Sequence, residues 1–136
     1  MSFLLDTNII SELRRKRPDA RVVSWLRRAE PATLSISVLS LGEIAKGAAQ
    51  CAMRDRAQAE LLYRWLAAVR TNYADRTIAV DADITEAWGR LAAKRSMPVI
   101  DGLLAATALL RGLTLVTRNI HDFADTGISV FNPWDA

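Results

Sequence analysis

One cysteine and one histidine in 136 residues remove several chemistries at once. Cys51 has no partner for an internal disulfide, and His121 cannot build a zinc site. No second Cys or His lies near Cys51 in sequence, so a buried or neutral thiol is expected rather than a nucleophile. Long hydrophobic runs are absent too. A stretch such as Leu103 to Leu110 is far too short to span a bilayer. The amino terminus has no basic run, and Asp6 interrupts its apolar residues, so no signal peptide is expected. A cytoplasmic protein is the simplest expectation. There is no repeat, no low-complexity tract and no long linker. At 51% hydrophobic residues, long disorder is excluded, and the length suits one domain spanning residues 1–136.

Charge of one sign is not in large excess, with a net +3. Its distribution says more than its sum. Seven of the 18 basic residues fall between Arg14 and Arg28. This cluster suits contact with nucleic acid or an acidic protein segment, or a solvated helix face. Within it, Arg15, Lys16 and Arg17 are the candidate contact residues.

The hydrophobic pattern alternates short strands with helices. Strands are expected at Ser2–Leu5, Thr33–Ile36, Thr77–Val80, Thr114–Thr117 and Ile128–Phe131. Helices are expected at Ile9–Lys16, with Thr7 and Asn8 as N-cap types, at Asp19–Arg28 and at Ser37–Gln50. Others follow across Ala57 to Val69, from Ile84 to before Pro98, and at Gly102–Arg111 with Gly112 as C-cap. The class is α/β, with a central parallel sheet and helices on both faces. Ligands of such sheets bind beyond the carboxyl ends of the strands, where Asp6 and Thr117-Arg118-Asn119 fall.

Most acidic residues sit on polar faces, caps or turns, and Glu12 reads as a surface ion pair with its basic neighbours. Asp6, Glu43 and Asp101 differ. Each is embedded in apolar sequence, where a carboxylate carries a desolvation cost unless something compensates it. Asp6 and Asp101 can be satisfied as helix caps. Glu43 is mid-helix and cannot cap, although Lys46 lies close enough to pair with it. Three carboxylates at one sheet edge repel each other, and a divalent cation resolves that. Hard oxygen ligands with no cysteine cluster favour Mg²⁺ or Mn²⁺. Such a site can support in-line displacement at phosphorus.

Four segments carry a family resemblance. Leu5-Asp6-Thr7-Asn8-Ile9-Ile10-Ser11-Glu12 resembles the opening motif of PIN-domain nucleases. Ser37-Val38-Leu39-Ser40-Leu41-Gly42-Glu43-Ile44 is similar to the second, a helix carrying the glutamate. Asp101-Gly102-Leu103-Leu104-Ala105-Ala106-Thr107-Ala108 resembles the third. Thr117-Arg118-Asn119 with Asp122-Phe123 resembles the fourth. The ending Val130-Phe131-Asn132-Pro133-Trp134 is similar to the tail of many VapC-type toxins.

The resemblance covers the whole chain in order. It implies a PIN-like three-layer fold and a Mg²⁺- or Mn²⁺-dependent endoribonuclease that acts on RNA. It further implies a cognate antitoxin and a homodimer within a toxin–antitoxin complex. Asp6 and Asp101 become metal ligands, with Glu43 completing the acidic cluster. The fourth motif departs from the family. Many relatives carry an acid where this chain has Asn119, whose amide can still ligate or orient water, and Asp122 supplies a charge three residues later. Thr7, Ser37 and Thr117 match hydroxyl positions that hold waters or acids, although capping and turns account for them equally.

Three rival readings share parts of this pattern. A response-regulator receiver needs an acidic pair after its first strand, and here Thr7 follows Asp6. A haloacid-dehalogenase-like phosphatase wants a second Asp two residues after the first, and this chain has Asn8. The non-enzyme alternative is a PIN-like module that binds RNA or protein without catalysis.

Overall fold

A computed structural model describes residues 1–136. Its chain order is β1 (Phe3–Leu5), α1 (Thr7–Arg14), α2 (Ala20–Arg28), β2 (Leu34–Ser37), α3 (Val38–Ala52) and α4 (Arg56–Asn72). There follow β3 (Thr77–Ile78), α5 (Ala82–Lys94), α6 (Val99–Arg111), β4 (Thr114–Val116) and β5 (Val130–Phe131). No helix is long and apolar enough to cross a membrane.

All strand pairs are parallel, in the order β3-β2-β1-β4-β5. Successive strand residues point to opposite faces, so a strand buried on both sides must be apolar at every position. Leu4 and Leu115 face α6 in one cluster with Leu104, Ala105, Ala108 and Phe123. Leu5 and Val116 face the other layer with Ile9, Ile10, Val22, Ile36, Ile44 and Val69. The result is a three-layer α/β fold. The carboxyl-terminal tail seals one flank: Trp134 is buried in the second cluster, and Trp25 packs between Phe3 and Phe131 with ring centroids 5.1 and 5.2 Å away.

From β1 the chain moves outward to β2 and β3 on one side, then crosses to β4 on the other. The order therefore reverses between β1 and β4. Loops diverge there and leave a crevice at the strands' carboxyl ends. Asp6 follows β1 directly, and Thr117 follows β4.

Helix starts are set by side-chain caps. Asp19, Ser37, Asp55 and Asp81 each accept a first-turn N–H at the head of α2, α3, α4 and α5. Of the starts that differ from expectation, two bear on the site. Helix α1 begins at Thr7 with Asp6 as its N-cap, so Thr7 and Asn8 lie inside the helix. Helix α6 begins at Val99, because Pro98 fits ahead of a first turn, and this puts Asp101 within that turn. Its other end is as expected: Gly112 adopts φ +64°, the left-handed conformation that glycine favours. Strands β3 and β5 are two residues each, shorter than the apolar runs that contain them.

Glu12 corrects the sequence reading more sharply. It is 4% exposed, not a surface residue. Its Oε2 accepts the Asp19 backbone N–H at 2.8 Å and its Oε1 pairs with Arg15 at 3.3 Å, fastening α1 to the head of α2. Removing it strands a partly buried donor, a loss worth about 2 kcal/mol. Glu12→Ala is expected to lower the urea midpoint by a corresponding amount, and Glu12→Gln, which keeps an acceptor, by less. An unchanged midpoint in Glu12→Ala would contradict this role.

Candidate active site

Four segments distant in sequence meet at the crevice. Asp6 is 8% exposed and its two carboxylate oxygens are held separately. Oδ1 accepts the Thr7 backbone N–H at 2.7 Å, and Oδ2 accepts the Thr117 hydroxyl at 2.9 Å. Thr117 Oγ1 in turn accepts the Asn119 backbone N–H at 3.1 Å. The helix cap that the sequence allowed for Asp6 is thus real, but it occupies one oxygen only. Asp101 forms no such cap. It lies half-buried on the first turn of α6, where the helix dipole favours a negative charge.

Glu43 projects from the middle of α3 and meets Thr7, not Lys46. Thr7 Oγ1 lies 2.7 Å from Glu43 Oε1 and 2.8 Å from Ser40 Oγ. A hydroxyl has one proton and a carboxylate only accepts, so Thr7 donates to Glu43 and accepts from Ser40. This relay ties α3 to α1 across the sheet edge. Ser40 and Asn8 fall inside the family-like segments, but the sequence assigns neither of them a contact at the site. Asn8 Nδ2 lies 3.5 Å from Asp6 Oδ2 and 3.4 Å from Thr117 Oγ1, while its Oδ1 is buried without a hydrogen-bond partner. Ser37 stays at the carboxyl end of β2, where its hydroxyl accepts the Leu39 N–H at 3.0 Å and caps α3.

The Asp6 and Asp101 carboxyls at the crevice are shifted by burial and by neighbouring carboxylate charge. Burial is the largest cause that raises the Asp6 carboxyl from 3.8 to about 6, and Asp101 and Glu43 add to it. The Thr117 and Thr7 hydrogen bonds oppose that rise. Burial also raises the Asp101 carboxyl, reinforced by Asp122 and Glu43. Asp122 lies exposed in the short turn Ile120–Phe123, which Arg95 anchors by donating to the Asp122 carbonyl oxygen at 2.6 Å. Asn119, also exposed, precedes this turn.

No three Asp, Glu, His or Cys side chains close into a ready metal-ligand set. Asp6 and Glu43 are each held by a threonine hydroxyl. The donor set nevertheless fits a hard divalent cation. It consists of carboxylate, hydroxyl and amide oxygens; Asn8, whose Nδ2 faces Asp6, has a buried Oδ1 without a hydrogen-bond partner.

The basic cluster does not form one patch. Helix α1 starts at the site and carries Arg15, Lys16 and Arg17 to its far end, about 12 Å along its axis. Those three are exposed, with Arg15 paired to Glu12. Arg14 sits apart from them, its guanidinium carbon 5.5 Å from the centre of the Trp65 ring.

Residues 3–128 match the family model of the PIN domain. The chain is 33% identical to the VapC ribonuclease Y4jK of Sinorhizobium fredii, covering 97% of each chain. It is 29% identical to the toxin FitB of Neisseria gonorrhoeae, over 96% of this chain and 97% of that one. The crystal structure of FitAcB from Neisseria gonorrhoeae superposes with a TM-score of 0.88 at 29% identity, over 98% of this chain and 99% of that one. Family model, relatives and fold agree across nearly the full length, and the chain belongs to the PIN-domain family.

Proposed function

We propose that this protein is a metal-dependent endoribonuclease, the toxin of a toxin–antitoxin pair, that hydrolyses RNA phosphodiester bonds. One observation carries the reading: Asp6, Glu43, Asp101 and Asp122, from four separate segments, share one electrostatic neighbourhood at the topological switch point. The relatives named as a VapC ribonuclease and a toxin support it.

In this reading Asp6 and Asp101 hold Mg²⁺ or Mn²⁺ and Glu43 completes the negative charge that attracts it. The bound cation supplies charge stabilisation for an in-line displacement at phosphorus and activates water. The protein's own part is positioning. Thr117 fixes one oxygen of Asp6, the Thr7 N–H fixes the other, and Thr7 fixes Glu43. Asn119 and Asp122 contribute from the exposed rim, through water or by charge. A cognate antitoxin and a homodimer within their complex complete the proposal.

Incubating the purified protein with single-stranded RNA and Mg²⁺ tests it. Release of oligonucleotides is expected. Intact RNA together with tight RNA binding would instead favour a non-catalytic binding module. A covalent aspartyl-phosphate would favour the receiver or phosphatase rivals.

Two further results are expected. Asp122→Ala should slow cleavage roughly tenfold, less than loss of Asp6, because its carboxylate acts on Asp101 from the exposed rim. Equal loss of activity and metal affinity in both variants would make Asp122 a direct ligand. Replacing Arg15, Lys16 and Arg17 together with Gln should weaken RNA binding. The salt dependence should then fall by about 0.7 in slope for each phosphate that is no longer neutralised. An unchanged slope and affinity would reduce the three to a solvated surface. Loss of antitoxin binding alone would assign them to the protein partner.

A further inference from the structure

We propose that the cleft bounded by α1, α3 and α4 is the subsite that holds the nucleotide next to the cleaved phosphodiester, with Arg14 as its base contact and Arg54 as its phosphate contact. The inference rests on the ribonuclease reading and names where the substrate lies. The cleft has a volume of about 420 Å³, within the range of small-ligand pockets. It is continuous with the acidic site, because Thr7 and Glu43 line it.

Away from the acids its lining changes sign. Arg14 and Arg54 both line it, both are exposed, and neither is paired with a carboxylate. Arg14 sits over the indole of Trp65, which also lines the cleft. A planar cation on an aromatic ring, with a second guanidinium nearby, suits one nucleotide. RNA bases stack on aromatic rings and on guanidinium planes, while the second cation takes the phosphate. An extended polyanion thus meets arginines on one side of the reacting phosphate and the carboxylates, with their cation, on the other.

Gly47 supplies an independent observation. It lies in the interior of α3, where glycine is less favourable than alanine, and it lines the cleft. A Cβ at this position meets nothing within 4 Å. Packing therefore does not demand glycine here, and the missing side chain leaves the cleft open.

The test uses the full-length protein, Mg²⁺ and single-stranded oligoribonucleotides of two to six residues. Arg14→Gln combined with Arg54→Gln removes two cations. Only the phosphate contact releases a counterion, so the salt slope of binding should fall by about 0.7, roughly fivefold in affinity at 0.1 M salt. Loss of the stacking plane should add roughly another fivefold, with KM rising in step. Gly47→Leu fills the cleft and should raise KM roughly tenfold, the weight of one stacked base. Its melting temperature should equal or exceed that of the wild type, which separates obstruction from misfolding. Wild-type KM and salt slope in both variants would overturn the proposal. So would unchanged RNA kinetics with loss of antitoxin binding, which would make the cleft a protein site. Failure of the wild type to cleave any RNA would defeat the nuclease reading instead. Anisotropy of the same labelled oligonucleotides would still report on the cleft.

Discussion

Asp6→Asn is expected to reduce RNA cleavage by roughly a thousandfold or more while the protein stays folded. The substitution keeps size and shape. Its amide oxygen can still accept the Thr7 N–H, so the cap on α1 survives in weakened form. What it removes is the charge. Asp6 is the most buried of the clustered acids, and both its oxygens are oriented by neighbours. Asp101→Asn should act in the same direction, because the half-buried Asp101 shares the same neighbourhood. The loss should appear in kcat, since a group that binds the catalytic cation acts on the transition state. Circular dichroism and a melt verify the fold. Cleavage within tenfold of wild type in Asp6→Asn would remove this carboxylate from the chemistry.

The second large effect is on stability, and it changes sign with metal. In chelator, the folded chain holds the Asp6 proton up to about pH 6, whereas an unfolded aspartate releases it near 3.8. A raised carboxyl of this kind leaves stability intact below pH 3.8 and removes it as pH climbs through 6. The full difference amounts to about 3 kcal/mol, of which about 2 kcal/mol falls between pH 4 and pH 7. Asp101 adds in the same direction. Asp19 opposes it, since its hydrogen bonds to Arg21 lower its carboxyl to about 2, so the reading must be the difference between wild type and Asp6→Asn. At pH 7 in chelator the variant should be the more stable, by about 1 to 2 kcal/mol after the weaker cap is counted. Saturating Mg²⁺ or Mn²⁺ should invert the order, because ligand binding to the native state stabilises only the protein that retains the site. A variant that melts below wild type at every pH in chelator would mean that the Asp6 charge stabilises the fold as a cap.

The elements legible in the sequence are those with a long period and a clear stop. Helix α3 repeats its apolar residues over fifteen positions, and α6 ends on a glycine that takes up the left-handed turn. Strands β3 and β5 are shorter than their apolar runs suggest, because such a run does not reveal how many of its residues find a partner strand. Asp6, Glu43 and Asp101 stand out because a carboxylate in apolar sequence needs a reason. Ser40 and Asn8 give no such signal. A serine or asparagine on a helix is ordinary, and Ser40 meets Thr7 only because the parallel topology brings positions 33 residues apart together. Glu12 misleads for a related reason. Its ion pair with Arg15 gives it a sufficient local partner, while its burial depends on the turn that presents the Asp19 N–H. Arg14 looks like one of a run of cations until the Trp65 ring beneath it sets it apart.

The most direct measurement is cleavage of single-stranded RNA by one preparation of the protein, first in EDTA and then after Mg²⁺ or Mn²⁺ is added in excess. No cleavage is expected in chelator. Full cleavage should return with either hard cation, zinc should not restore it better, and Asp6→Asn should remain inactive throughout. Undiminished cleavage in EDTA, or cleavage by Asp6→Asn at the wild-type rate, would contradict a metal centre built on Asp6, Glu43 and Asp101.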